Sequence, residues 1–107
     1  MLSSLIVLSQ GYAAKQLNVQ SDKIENTIIE YTDDEFIVLA LELKNGSNNK
    51  ICFCVASKYE PKEDERGFYF VDRVLYGNIV IAGFRHNKIC GLTDKEIEYI
   101  YEHIIPN

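Results

Sequence analysis

The chain has 107 residues, 47% apolar and 25% charged, which is enough for one packed domain spanning 1–107 and argues against disorder. Sixteen acidic against 11 basic residues leave a net charge of -5, which disfavours general nucleic-acid binding, since a phosphate backbone wants a basic face. Three cysteines cannot complete an intrachain disulfide framework, so they read as reduced thiols of a cytosolic protein.

The first fifteen residues, MLSSLIVLSQGYAAK, resemble a secretory signal only superficially. They lack a basic start, and Tyr12 falls at the -3 position before Ala14. The longest apolar run is far too short for a bilayer, so no membrane association is expected. Leu5 to Leu8 reads as a buried strand and Lys15 to Gln20 as a second, with Leu17 and Val19 on one face. Ser21 to Tyr31 fits two patterns. As a helix it has a cap at Ser21 or Asp22 and a stripe of Ile24, Ile28 and Tyr31. As a strand it has the β-branched and aromatic run NTIIEY, and the strand reading is preferred.

Phe36 to Leu43 is a strand with Ile37, Leu39, Leu41 and Leu43 on one face and Phe36, Val38 and Ala40 on the other. The polar segment 45–49 turns it into KICFCVAS, Lys50 to Ser57, the most central strand of the chain. Ile51, Phe53 and Val55 form a bulky face there; Cys52, Cys54 and Ala56 form a small one. Both faces are apolar, as in the middle of a sheet. Tyr59 to Gly67 breaks the pattern with Pro61 and a mixed charge run, and reads as a solvated loop. FYFVDRVL, Phe68 to Leu75, reads as one strand, and Gly77-Asn78 as the hairpin turn into IVIAGF, Ile79 to Phe84. Gly83 marks a bulge or a close backbone approach. Arg85 to Lys88 is a polar turn leading to Ile89 and Cys90.

Thr93-x-x-Glu96 is a capping box, flanked by Leu92 and Ile97 as a hydrophobic staple. Ile97, Ile100, Tyr101 and Ile104 make a helical stripe, and Pro106 ends a helix running from Asp94 to about Ile105. The expected fold is therefore α+β: an antiparallel sheet of five to six strands with the C-terminal helix packed on the Cys52/Cys54/Ala56 face. A helix of twelve residues is only about 18 Å long, so the other face needs its own cover. That cover is a second helix at Ser21–Tyr31, a curling of the sheet, or a second subunit over Ile37, Leu39, Leu41, Ile51, Phe53 and Val55. A homo-oligomer is the expected outcome.

Cys52, Cys54, His86 and Cys90 are potential zinc ligands, but their spacing matches no common finger, so no metal and no cofactor are expected. No nucleophile elbow, zinc-protease helix or phosphate loop is present, and the protein is read as a non-enzyme. His103 sits where a helix C-terminus favours a cation. The candidate ligand site is Arg73, Phe84, Arg85, His86 and Asn87: a ring to stack on a base, guanidinium groups for phosphate, and an amide for an edge.

Asp72-Arg73, the strand Gly77 to Ile81, and Gly91 to Ile97 (GLTDKEI) together resemble a family of small uncharacterised proteins of bacteriophages and other mobile elements. The shared pattern is an Asn/Asp-Arg pair, a G-x-[IF]-[VL]-[IV] strand and a closing S/G-L-T-D-E-E-I helix. It covers roughly half the chain, and the N-terminal half departs from it. The resemblance implies no catalytic residues. It implies a phage-type accessory protein that counters host defence, acting in the host cytosol. The function expected from this is sequestration of a small anionic, nucleotide-like ligand. The alternatives are an acidic inhibitor that binds a host protein through the Glu60–Glu65 loop, and a small hydrolase using His86.

Overall fold

The computed structural model describes residues 1–9, 13–43, 49–70 and 72–105. In chain order its elements are β1 (Leu2–Ser9), β2 (Ala13–Gln20), a 3-10 turn (Ser21–Lys23), α1 (Ile24–Thr32), β3 (Phe36–Glu42) and β4 (Lys50–Ala56). There follow β5 (Phe68–Phe70), β6 (Arg73–Leu75), β7 (Ile79–Arg85), β8 (Lys88–Cys90) and α2 (Asp94–Tyr99), which continues as a wide π turn over Ile100–Ile104. The fold is α+β. One antiparallel sheet runs β2-β1-β7-β4-β3, with β8 beside the end of β7.

The two strands with the strongest apolar character on both faces lie at the centre. In β7 Ile79, Val80, Ile81 and Ala82 are fully buried, as are Ile51 to Cys54 in β4. Ile81 pairs with Ile6 of β1 on one edge and Phe53 of β4 on the other. Gly83 pairs with Ile51 on that second edge and with Cys90 on the first, so β8 continues the edge that β1 leaves. The β4–β7 register runs unbroken through Gly83. There is thus no bulge, and close approach explains the glycine: a Cβ there would lie 2.7 Å from the Gly91 carbonyl oxygen.

Ser21–Tyr31 is helical, which corrects the strand reading. Ile24 and Ile28 are buried on the small sheet face with Leu5, Val7, Cys52, Cys54, Val80 and Ala82. Burial of that stripe outweighs the weak β preference of the run. The Thr32 hydroxyl, buried at the end of α1, donates to the Ile28 carbonyl at 2.6 Å. The cover of the Cys52/Cys54 face is therefore α1 and not the C-terminal helix. The small thiols admit a helix closely, and the first helix in the chain takes that face.

The C-terminal helix covers the opposite face. Ile100 is buried with Ile51, Phe53, Val55, Ile79 and Ile81, and Ile97 and Ile104 pack at the margin. FYFVDRVL is not one strand: it folds back as the hairpin β5–β6, pairing Phe70 with Arg73. Gly77, at φ 84°, therefore joins β6 to a strand of a different sheet instead of closing a hairpin. The reason is aromatic packing. Folded back, β5 lays Phe68 and Phe70 on Phe53, with ring centroids 5.8 and 4.5 Å apart. The hairpin thus supplies the rest of the cover that the bulky face requires.

Both faces are closed by the chain itself, which removes the face-based reason for a second subunit. Ile51, Phe53 and Val55 are buried and Leu39 and Leu41 half-buried, leaving Ile37 42% exposed at the edge. The capping box forms as expected, with Thr93 Oγ1 accepting from the Glu96 amide at 3.2 Å and Glu96 Oε1 from the Thr93 amide at 2.8 Å. Most of the turn read at 45–49, and the stop at Pro106, lie outside the described residues. Among the described residues no helix is long and apolar enough to cross a membrane.

Candidate functional site

Alternation along β7 decides what the end of the second half of the chain presents. Val80, Ala82 and Phe84 project to the α1 face; Ile79, Ile81 and Arg85 project to the α2 face. The turn between β7 and β8 is His86-Asn87, at φ 54° and 60°. Two left-handed residues in a two-residue loop make a type I′ turn, the form whose twist matches the flanking strands. Both side chains are exposed at its tip.

Phe84 and Asn87 line a groove of about 480 Å³ between this turn and the start of α1. Its apolar lining is Phe84, Ile89, Ile24 and Phe36; its polar lining includes Ser21, Asn87 and Lys88. Asp22 and Glu25 also line it, so two carboxylates face one ammonium. The first turn of α1 has no side-chain hydrogen bond capping it. The groove therefore offers flat apolar surface, the Asn87 carboxamide and a single cation.

Arg85 is elsewhere and already engaged. Its guanidinium donates to Glu96 Oε1 at 2.9 Å and to the Gly91 carbonyl at 2.7 Å. Glu96 is 2% exposed, and the same Oε1 serves the capping box. Arg85 thus ties β7 to the start of α2. Arg73 is also apart from the groove, on β6 above the opposite sheet face, exposed and 3.7 Å from Asp72. Of the five residues singled out by sequence, the structure brings Phe84 and Asn87 together, sets His86 beside them at the tip, and separates Arg73 and Arg85.

Sequence reasoning missed Ser21, Ile24, Phe36, Lys88 and Ile89. The available signal was the helical reading of Ser21–Tyr31, whose start is one wall of the groove. The potential zinc ligands disperse. Cys52 and Cys54 are buried under α1, Cys90 lies on the α2 side of β8, and His86 is at the tip. Among the described residues no group of three or more His, Cys, Asp or Glu is placed to hold a metal ion. A hydrogen bond with Cys52, together with burial, holds the Cys54 thiol well above its usual range, so it stays neutral. Burial also raises Cys90, partly offset by the positive charge of Arg85.

The fold and groove define a class: a two-faced antiparallel sheet, helix-covered on each side, with an open aromatic groove at one helix start. No family model, curated protein or solved structure matches the chain.

Proposed function

We propose that this is a non-enzymatic binding protein that sequesters a small ligand combining a planar ring with an anionic group, as a nucleotide does. The observation that carries this reading is the groove of about 480 Å³, in which Phe84 and Phe36 sit with Asn87 and Lys88. Rings stack on rings with about 1–3 kcal/mol per base. Lys88 and the Asn87 carboxamide are donors for the anion. Asp22 and Glu25 limit the charge the groove accepts, so recognition rests on the ring and on donors more than on net field. The resemblance to phage accessory proteins supports a role in countering host defence.

The test is a thermal-shift screen against nucleotides, followed by calorimetry on Phe84→Ala and Lys88→Ala. A ligand at one hundred times its Kd stabilises the native protein by about 2.7 kcal/mol. The expected result is a shift that both substitutions reduce, with the ligand recovered unchanged. No shift with any nucleotide, or a shift indifferent to both substitutions, overturns the proposal; a chemically altered ligand favours the hydrolase reading.

A second reading rests on the exposed acidic run Glu60, Glu63 and Asp64, whose base is pinned by a hydrogen bond from the Tyr59 hydroxyl to the Glu65 carboxylate. Such a loop suits a basic host protein. Capture of a host protein that Glu63→Lys abolishes and Lys88→Ala spares would favour it.

A further inference from the structure

We propose that two copies of this chain pair edge to edge through β3, antiparallel about a two-fold axis at Leu39, to make one continuous sheet. The two edges of the sheet differ. The exposed residues of β2 include Lys15, Gln16, Asn18 and Gln20, the polar and charged types that discourage strand pairing. The exposed residues of β3 are Ile37, Val38 and Ala40, then Glu42. Its register to β4 is regular from Phe36↔Ala56 to Glu42↔Lys50, with no proline and no bulge. Among the described residues no strand pairs with its outer side.

The backbone bonds fix which residues face outward. Ser57 N–H donates to the Glu35 carbonyl at 3.2 Å and Leu43 N–H to the Asn49 carbonyl at 3.4 Å. Bonded pairs alternate in an antiparallel ladder. The odd-numbered residues of β3 therefore bond to β4, and Phe36, Val38, Ala40 and Glu42 turn their N–H and C=O outward. An axis at Leu39 sets Phe36 against Glu42 and Val38 against Ala40 of the second copy. Every outward residue then meets an outward residue, and every bond is made in both directions.

The side chains agree with that register and with a second copy as the occupant. Opposed residues share a face, so Ile37 meets Leu41, Leu39 meets its own symmetry mate, and the branched Val38 meets the small Ala40. The terminal charges do not oppose one another. Glu42 has Lys50 of its own chain at 3.6 Å, and Glu35 has Lys58 at 3.0 Å. Of the groove residues only Phe36 lies on β3, and the inference is tested on protein without ligand.

Sedimentation equilibrium from 10 to 500 µM is the first measurement; the expected mass rises from 12.3 kDa toward about twice that value. Ala40→Pro removes an outward N–H and leaves the β3–β4 bonds in place, and Val38→Lys puts a charge on the edge; both are expected to stay monomeric. Asn18→Lys on β2 is expected to dimerise like the parent. Amide exchange on the unmodified chain provides a readout that does not depend on how the variants fold. Val38 and Ala40 amides should exchange several-fold more slowly at high concentration, with Leu39 unchanged. A monomer at every concentration, a larger open assembly, a dimer that survives both β3 substitutions, or a dimer without slowed Val38 and Ala40 exchange overturns the proposal.

Discussion

Arg85 makes two bonds, to Glu96 and to the Gly91 carbonyl, and both depend on its forked guanidinium. Glu96 is buried, and its second oxygen, Oε2, has no hydrogen-bond partner among the described residues. Removing the arginine leaves a buried carboxylate without its counter-charge, a loss of about 3–5 kcal/mol in comparable pairs. Arg85 is itself 29% exposed, and this solvent screening lowers the expected cost to the bottom of that range or just below it. Arg85→Ala is thus expected to destabilise the fold by about 2–3 kcal/mol. Lys58→Ala, which breaks an exposed pair with Glu35, should cost under about 1 kcal/mol. Urea unfolding of the two variants checks this; equal midpoints would show that the Glu96 bridge contributes nothing.

At the scale of elements, α1 and the β5–β6 hairpin are the two decisive placements. Cys52 and Cys54 are fully buried beneath Ile24 and Ile28, so the space under α1 is set by thiols. Cys54→Phe forces the helix off the sheet, and overpacking of this kind costs about 1–3 kcal/mol. Ile51→Val, on the other face, removes one methyl group and should cost about 0.5–1.5 kcal/mol. The aromatic change is expected to be the worse of the two and to expose α1 amides to exchange. Equal losses, with α1 exchange unaltered, would mean that the helix does not rest on Cys54.

For the whole molecule, the buried thiol makes stability depend on alkaline pH. Unfolded, Cys54 ionises near its ordinary value of 9.0; folded, it stays neutral well above that. Its contribution is full below pH 9 and is lost as the pH rises from there toward the folded value. The loss expected from Cys54 alone is about 1 kcal/mol by pH 10, from one proton held by the native and not by the unfolded chain. Cys90 shifts in the same direction and adds to the slope, whereas the hydrogen bond with Cys54 lowers Cys52 and opposes it. Denaturation at pH 8 and pH 10 should show a smaller difference in the double variant Cys52→Ala/Cys54→Ala than in Cys52→Ala, where burial alone raises Cys54; identical differences would refute the assignment.

What the sequence by itself determined is whatever short-range pattern specifies. The capping box at Thr93 and Glu96, the apolar faces of β3, β4 and β7, and the turn at Arg85 to Lys88 all follow from residues a few positions apart. That Phe84 and Asn87 lie close together is legible for the same reason, because they sit at a strand end and in its turn. The tertiary structure decided the rest. Ser21–Tyr31 had two local solutions of similar merit, and the need to cover Cys52 and Cys54 chose the helix. FYFVDRVL had a good strand pattern, and the chance to stack Phe68 and Phe70 on Phe53 folded it in half. Arg85 looked free for a ligand because its partner, Glu96, comes from a different element, in the first turn of α2. Such choices depend on which surface remains uncovered once the sheet has formed, and that is a property of the assembled chain, not of any window along it.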